Sequence, residues 1–282
     1  MIATSNQVTV GAVQLTSDAD PERNILAAID GVGRAAAEGA TYVQLPEYFN
    51  YLGPSRHFAE VAESIPGPTS MRMAEIAKTH HVTLHLGSML EKSDDPTHFY
   101  NTSVVLDESG SIVARYRKVH LFDVDVPDAV VTRESDALRA GDSLVVARLP
   151  SMQLGMSICF DLRFPELYRS LAMAGATVLA IPAAFNAVTG EAHWEMLVRA
   201  RAIENHAFVV AAAQAGTTGE GISSYGHSII VGPWGDVIAQ SQSSGVDVIV
   251  ASIDVGQVAL RRAQIAVLDL RRPGVYGSAV SS

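Results

Sequence analysis

The sequence alternates short apolar runs of strand character with helical segments, and this alternation limits the possible folds more than any other feature. Val8–Leu15 is a β-rich run, and Pro21–Glu38 then carries apolar residues at helical spacing before Gly39. Thr41–Leu45 is the next strand-like run, and Pro46 ends it because proline has no backbone N–H to donate. A chain that mixes strands and helices in this order predicts an α/β fold.

The same kinds of element recur along the rest of the chain, so we expect one domain over 1–282, with 266–282 as an irregular tail. Phe122–Asp142 breaks the periodicity with acidic residues, proline and glycine, and it is expected to be a long loop of the kind that is usually functional. The other expected strands are Val82–Leu90, Tyr100–Asp107, Ser111–Lys118, Ser143–Leu149, Gln153–Cys159, Thr177–Ile181, Ala207–Ala213 and Val246–Ile253.

Charge and composition exclude several classes of partner. The formal net charge of −10 and the sequence pI near 5.3 leave no broad basic surface, so nucleic acid is not expected as a partner. The chain shows neither a signal peptide nor an apolar run long enough to cross a bilayer, so we expect a cytoplasmic protein that does not enter a membrane. Cys159 is the single cysteine, which rules out an internal disulfide and a cysteine zinc site; no cofactor or metal is expected.

Three polar residues share one kind of position, because each lies at or just beyond the carboxyl end of an expected strand. These residues are Glu47, Lys118 and Cys159. In open α/β sheets this edge collects ligands and catalytic groups. Taken singly, each residue also fits an ordinary structural role: a surface glutamate after a turn, a lysine on a hairpin edge and a cysteine in the interior.

Together the three side chains fit nucleophilic catalysis on an amide. A cysteine thiolate attacks a carbonyl carbon, a carboxylate accepts the thiol proton and returns it to departing ammonia, and a cation stabilises the oxyanion. Lysine suits the last role as a compact charge with three donors. The position of Cys159 before a helix that begins at Pro165 predicts additional stabilisation of negative charge by the helix N-terminus.

Several long motifs resemble one known family. The segments "LPEYF", "YRKVHLFDVD" and "CFDLRFPE" occur in this order, followed by "AHWEMLVRARAIEN", "FVVAAAQAG", "YGHSIIVGPWGDVIA" and "RRPGVY". They closely resemble the nitrilase superfamily of carbon–nitrogen hydrolases, and the Nit branch of amidases in particular, over nearly the whole chain. The resemblance implies a four-layer α-β-β-α sandwich whose outer helices often pack against a second copy, so a homodimer or a higher homo-oligomer is expected.

The resemblance also implies roles for individual residues. Cys159 corresponds to the nucleophile, Glu47 to the general base and acid, and Lys118 to the cation of the family's Glu-Lys-Cys triad. Glu134, in "TRESDALRAG", matches a second glutamate that orients substrate or water. The preceding loop "VPDAVVTRES" departs from the "IPG" pattern of the family.

Five further residues are expected to bind the substrate. Arg163 is four residues after Cys159 and can clamp a carboxylate, although pairing with Glu166 is the alternative. The other four, expected to wall the pocket or, alternatively, to serve in packing, are Tyr48, Phe160, Phe185 and Thr189.

The expected activity is cofactor-free hydrolysis of a small acidic amide to acid and ammonia through a cysteine thioester. Deaminated glutathione and an ω-amide of a keto or dicarboxylic acid are the expected substrates. An N-carbamoyl amide or a nitrile is the alternative within the same chemistry, since fold and triad do not separate these substrates. A non-catalytic scaffold is a second alternative, and a papain-like Cys-His hydrolase is a third, for which no histidine signature is present.

Overall fold

A computed structural model describes residues 6–126 and 130–276. Its strands are β1 (Gln7–Gln14), β2 (Tyr42–Gln44), β3 (Thr83–His85), β4 (Met89–Lys92), β5 (Phe99–Leu106), β6 (Ile112–Arg117), β7 (Asp123–Val126), β8 (Val130–Arg133), β9 (Val146–Arg148), β10 (Gln153–Met156), β11 (Val178–Ala180), β12 (Phe208–Ala211), β13 (Ala215–Thr217), β14 (Ser223–Tyr225), β15 (Ile229–Val231), β16 (Val237–Gln240) and β17 (Asp247–Asp254).

The helices begin and end at conventional capping signals. They are α1 (Pro21–Ala37), α2 (Phe58–Val61), α3 (Pro68–His80), α4 (Pro165–Met173), α5 (Ala187–Asn205), α6 (Gly256–Gln264) and α7 (Pro273–Tyr276). The side chain of Asp20 accepts a hydrogen bond from Arg23 N at the start of α1, and Asn186 accepts from Val188 N at the start of α5. Proline occupies the first position of α1, α3 and α4, where its missing N–H costs nothing.

Two mixed sheets carry most of the strands. The first has the order β17-β1-β2-β3-β5-β4, with β6 also paired to β5, and its β1, β2 and β3 are mutually parallel. The second has the order β16-β15-β12-β11-β10-β9, and its β10, β11 and β12 are parallel. Each sheet thus has a parallel centre, at whose carboxyl edge loops can collect functional side chains.

The two sheets face each other, and helices cover their outer faces. Helices α1 and α3 pack on the first sheet, while α4 and α5 pack on the second. Val10 and Tyr42 of the first sheet join Met156 of the second in one buried apolar cluster. A hydrogen bond of 3.1 Å from Gln44 Nε2 to the carbonyl of Val210 crosses directly between the sheets. The expected four-layer α-β-β-α sandwich is confirmed.

The expected strand Val82–Leu90 is in fact two strands, β3 and β4, which are separated at Gly87. This residue has a φ of +60°, and a Cβ at this position would lie 2.0 Å from the carbonyl oxygen of Pro46. Only glycine permits both the positive φ and this close approach of two backbone segments. The contact fixes the loop that carries Glu47.

The expectation of a loop over Phe122–Asp142 was wrong for its first half, which forms a hairpin. Strands β7 and β8 pair antiparallel from Asp123 opposite Arg133 to Val126 opposite Val130; residues 127–129, including the loop's Pro127, lie outside the described residues. The hairpin projects into solvent, and Val131 is 71% exposed. An exposed ribbon buries neither face, so it lacks the apolar periodicity that identifies a buried strand.

The C-terminal segment contains the short helix α7, and residues 277–282 of the expected tail lie outside the described residues. Of the helices in the described ranges, none combines the length and the apolar character that a bilayer crossing requires.

Candidate active site

Glu47 lies beyond the carboxyl end of β2 and is almost completely buried, with 1% of its surface exposed. Its Oε1 accepts hydrogen bonds of 2.9 Å from both Asn101 Nδ2 and Lys118 Nζ. Its Oε2 accepts a hydrogen bond of 2.8 Å from the backbone N–H of Ala184. Three donors therefore compensate the burial of this carboxylate and fix its orientation.

Lys118 follows β6 directly and is the centre of the charged cluster. Its Nζ lies 2.9 Å from Glu47 Oε1, and 3.0 and 2.9 Å from the two carboxylate oxygens of Glu134. Burial alone would lower the pKa of Lys118, but the charges of Glu134 and Glu47 outweigh it and raise the pKa well above its usual range. The lysine is therefore a permanent cation held between two carboxylates.

Glu134 forms the outer wall of this cluster. It begins a short 3-10 turn, Glu134–Asp136, directly after the β7–β8 hairpin. Its Oε2 accepts a hydrogen bond of 2.8 Å from Phe122 N, and its Oε1 lies 3.3 Å from the donating hydroxyl of Tyr48. Burial and the charge of Glu134 raise the pKa of Tyr48 well above its usual value, so this phenol remains a donor.

Cys159 follows β10 and lies in a 3-10 turn, Cys159–Arg163, rather than in the first turn of α4. Its φ is +44°, which is uncommon for a residue with a side chain and costs about 1–2 kcal/mol. Its backbone N–H donates to the carbonyl of Pro182 over 2.9 Å. Strained backbone of this kind is frequent where a nucleophile must point out of a turn.

Burial and the charge of the neighbouring Glu47 raise the pKa of Cys159 well above that of a free cysteine, although Lys118 opposes the shift. The helix N-terminus was expected to favour the thiolate. A 3-10 turn, Cys159–Arg163, separates Cys159 from the N-terminus of α4, and the contribution of this helix end stays a prediction. The resting nucleophile is therefore a neutral thiol next to a carboxylate that can accept its proton.

A narrow cavity with about 10 Å³ of free volume opens beside the sulfur. Four of the five expected substrate-binding residues line it, together with Cys159 itself; these are Phe160, Arg163, Phe185 and Thr189. The fifth, Tyr48, lies elsewhere: it contacts Glu134 and lines a neighbouring cavity of about 220 Å³. The small cavity has aromatic walls and one cationic side chain.

Arg163 is the cation of this cavity. Its guanidinium carbon lies 5.0 Å from the ring centre of Phe185, and its Nη1 lies 3.3 Å from His193 Nδ1. The expected alternative, an ion pair with Glu166, is not formed; within the described ranges no carboxylate lies within ion-pair distance of Arg163. Partial burial lowers its pKa from the usual arginine value. An anionic substrate group would complete this site.

Several groups that support the cluster could not be identified from the sequence. Asn101 and the backbone N–H of Ala184 orient Glu47, and Asp161 receives hydrogen bonds from Tyr116 and His120. Asp161 stands inside the motif "CFDLRFPE", so its proximity to Cys159 was visible but its partners were not. No cluster of three metal-ligating side chains occurs in 6–126 or 130–276.

Comparison with known proteins identifies the family. The model of the carbon-nitrogen hydrolase family matches residues 9–263. The chain is 38% identical over 264 residues to the human protein Omega-amidase NIT2, covering 94% of this chain and 95% of that protein. It is 40% identical over 276 residues to the Deaminated glutathione amidase of Mus musculus, covering 95% of this chain and 84% of that protein.

Solved structures agree with this result. The C. elegans NitFhit protein superposes with a TM-score of 0.88 at 38% identity, covering 98% of this chain and 67% of that one. Saccharomyces cerevisiae Nit3, a member of branch 10 of the nitrilase superfamily, superposes with a TM-score of 0.84 at 32% identity, covering 94% and 97% of the two chains.

The chain belongs to the carbon–nitrogen hydrolase family. The family, the fold and the class of enzyme expected from the sequence, an amidase that hydrolyses a carbon–nitrogen bond, are confirmed. The roles of the individual site residues remain predictions.

One prediction concerns the titration of the thiol. Because the charge of Glu47 raises the pKa of Cys159, Glu47→Gln should lower that pKa, so that the rate of alkylation by iodoacetamide rises at a lower pH than in the wild type. Intact mass reports the reaction directly, since Cys159 is the single cysteine. Glu63→Gln is the control, because Glu63 bonds to Thr69 away from the site. An unchanged midpoint in Glu47→Gln would contradict this electrostatic account.

Proposed function

We propose that Cys159, Glu47, Lys118 and Glu134 form the catalytic centre of an amidase that acts through a covalent thioester. The observation that carries the proposal is the convergence of these four side chains: the charges of Glu47 and Lys118 both act on the buried thiol of Cys159, and Glu47 shares this buried lysine with a second carboxylate, Glu134. Such an arrangement places a nucleophile, a proton acceptor and a fixed cation around one reacting carbonyl group.

In the first half-reaction, the thiol proton passes to Glu47 while the sulfur forms a bond to the carbonyl carbon. The carbonyl oxygen becomes an oxyanion, which the charge of Lys118 stabilises. Glu47 then delivers its proton to the amide nitrogen, the C–N bond breaks, and ammonia leaves. The enzyme is left as a thioester at Cys159, and Glu47 is again ionised.

In the second half-reaction, water attacks the thioester carbonyl while Glu47 accepts one of its protons. The C–S bond breaks, the thiol is restored by the proton from Glu47, and the carboxylic acid is released. The sum is amide and water converted to acid and ammonia. Glu134 keeps Lys118 in place through two hydrogen bonds. With the bond to Glu47, all three ammonium donors of Lys118 are occupied at rest. One bond to Glu134 must therefore loosen if Lys118 is to donate directly to the oxyanion.

The substrate class follows from the cavity. This cavity is narrow, and Arg163, which lines it, lacks a carboxylate partner in the described residues, so its cation is available to an anionic group of the substrate. We therefore propose a small acidic amide, whose carboxylate binds Arg163 while its carboxamide reaches Cys159. The names of the two relatives, omega-amidase and deaminated glutathione amidase, support an ω-amide of a keto or dicarboxylic acid, or deaminated glutathione.

The alternatives are less well supported. A nitrile would use the same four residues but does not require the cation of Arg163. An N-carbamoyl amino acid has a carboxylate of its own, so the support for an acidic amide over it comes from the names of the two relatives. A scaffold would have no use for a buried lysine between two carboxylates, an arrangement whose desolvation is costly. A papain-like mechanism needs a histidine at the thiol, whereas His120 is bonded to Asp161 and the charged side chains that act on the thiol are Glu47 and Lys118.

We also propose a cytoplasmic homo-oligomer. Its support is a group of exposed apolar side chains on α5 and near its C-terminal end, which a second copy could cover. Met196 is 74% exposed, Ile203 is 47% exposed, and Trp234 is 52% exposed. Isolated exposed apolar residues need no explanation, but side chains of this size along one helix favour an interface.

The proposed activity predicts cysteine-dependent release of ammonia. Wild type and Cys159→Ala are compared on deaminated glutathione, α-ketoglutaramate, an aliphatic amide, an N-carbamoyl amino acid and a nitrile. We expect turnover of at least one of the first two by the wild type, and none by Cys159→Ala, which lacks the nucleophile. Ammonia release by folded Cys159→Ala at the wild-type rate would overturn the mechanism; exclusive hydrolysis of the carbamoyl compound or the nitrile would overturn the substrate class.

The carboxylate clamp predicts an effect of Arg163→Ala on KM. Losing a charge-assisted hydrogen-bonded pair costs about 1.5–3 kcal/mol, so KM for an acidic amide should rise about 10- to 100-fold, while KM for a neutral amide stays nearly constant. Arg139→Ala is the control, since Arg139 pairs with Asp94 at the surface. Equal increases for acidic and neutral amides would show that Arg163 does not bind the carboxylate.

A further inference from the structure

Asp161 is the carboxylate nearest in sequence to the nucleophile, and the proposed reaction does not use it. It is fully buried, with 0% of its surface exposed. Its Oδ2 accepts hydrogen bonds of 2.9 Å from Ile158 N and 2.7 Å from the hydroxyl of Tyr116. Its Oδ1 accepts from His120 N over 3.0 Å and lies 2.7 Å from His120 Nδ1. Four contacts thus surround one buried carboxylate.

These contacts come from two separate segments, and each lies within two residues of a proposed catalytic group. Ile158 directly precedes Cys159, while Tyr116 and His120 stand two residues before and two residues after Lys118. The segment with Lys118 belongs to the first sheet, and the turn with Cys159 belongs to the second. Asp161 therefore ties the lysine side of the site to the cysteine side.

Separating the two segments that Asp161 connects would be energetically costly. A buried carboxylate that loses a donor is left with uncompensated charge, which costs several kcal/mol. Movement of either segment away from the other would break at least one of these bonds. The turn at Cys159 also needs external support, because its φ of +44° is unfavourable for a residue with a side chain. The bond from Ile158 N to Asp161 closes the backbone immediately before this strained residue.

His120 is held in turn by a second contact. Its ring stacks on Phe164, with ring centres 3.6 Å apart and an angle of 7° between the planes. Phe164 ends the turn that begins at Cys159, and its N–H donates to the carbonyl of Asp161 over 3.0 Å. The imidazole thus contacts the cysteine turn both through Asp161 and through Phe164.

We propose that Asp161 is a positioning residue that fixes Cys159 relative to Lys118, and that Tyr116 and His120 act as its hydrogen-bond donors. The proposal rests on the proposed function, because it assumes that Cys159 and Lys118 act on one carbonyl group. Asp161 is not among the residues that line the cavity beside Cys159. It sets the distance between the two halves of the site, and displacements of about 1 Å in such geometry can reduce rates about 100-fold.

The direct test is Asp161→Asn. The amide keeps the shape of the carboxylate, but its NH₂ group faces donors where an oxygen formerly accepted two hydrogen bonds. We expect kcat to fall about 10- to 100-fold with KM for the amide nearly unchanged. The rate of Cys159 alkylation by iodoacetamide, followed by intact mass, should fall as well. This second readout needs no turnover, so it tests the positioning even if none of the proposed amides is a substrate.

A pair of isosteric variants at His120 separates positioning from folding and from proton transfer. His120→Asn places an amide N–H where Nδ1 of the histidine donates. His120→Leu introduces a side chain of the same shape as asparagine but without a donor. Both variants lose the ring that stacks on Phe164. We expect His120→Asn to keep most of the wild-type kcat and alkylation rate, and His120→Leu to lose at least about fivefold in both. Tyr116→Phe, which removes one hydroxyl, should resemble His120→Leu.

Three results would overturn the proposal. Wild-type kcat and alkylation in a folded Asp161→Asn protein would show that the carboxylate positions nothing. Equal loss in His120→Asn and His120→Leu would assign the effect to the ring rather than to the donor. Equal retention in both variants would exclude His120 as a required donor. If Asp161→Asn fails to fold, the His120 pair and Tyr116→Phe decide the question. The wild type could also fail to turn over any of the amides while the variants still differ from it in alkylation rate as expected. That result would count against the proposed substrates and not against the positioning role of Asp161.

Discussion

The site depends on one buried ammonium group. Lys118 is 1% exposed and contacts the carboxylates of Glu47 and Glu134 at about the same distance, near 2.9 Å. Moving the ammonium group away would leave two carboxylates without their shared counter-ion, and turning either carboxylate away would remove part of the compensation of a buried cation. Both changes are energetically costly. The charges therefore hold one another in a fixed arrangement, and the thiol of Cys159 is placed against it. The charge of Lys118 is therefore already in place when an oxyanion forms, and only one of its hydrogen bonds to Glu134 has to loosen for direct donation.

The fold brings these groups together from distant parts of the chain. Glu47 and Lys118 come from the first sheet, Cys159 and the N–H of Ala184 come from the second, and Glu134 comes from the hairpin between them. The two sheets present their loops to the same region, because they pack face to face with the buried apolar cluster between them. Gly87 adds a local condition, since it lets the backbone approach the Pro46 carbonyl just before Glu47.

The parts of this arrangement that repeat along the chain could be predicted from the sequence. Alternating strands and helices indicate the α/β fold, and the positions of Glu47, Lys118 and Cys159 at strand ends single them out by pattern alone. Features that depend on contacts distant in sequence could not be predicted. The β7–β8 hairpin lacks a buried face, so no apolar pattern marks its strands. The pKa of Cys159 depends on whether burial and the charge of Glu47, which raise it, outweigh the charge of Lys118, which lowers it. Two partners of Asp161, Tyr116 and His120, are 45 and 41 residues away in the chain and meet it only after the sheets have packed.

The most direct test of the central claim is to trap the covalent intermediate. An acidic ω-amide is mixed with the enzyme, quenched rapidly with acid, and the intact protein mass is measured. Our account predicts an adduct equal to the substrate minus ammonia on wild-type protein, mapped to Cys159 by digestion and absent from Cys159→Ala. Steady hydrolysis of the amide with no adduct at Cys159 at any quench time, together with full activity of Cys159→Ala, would contradict the account.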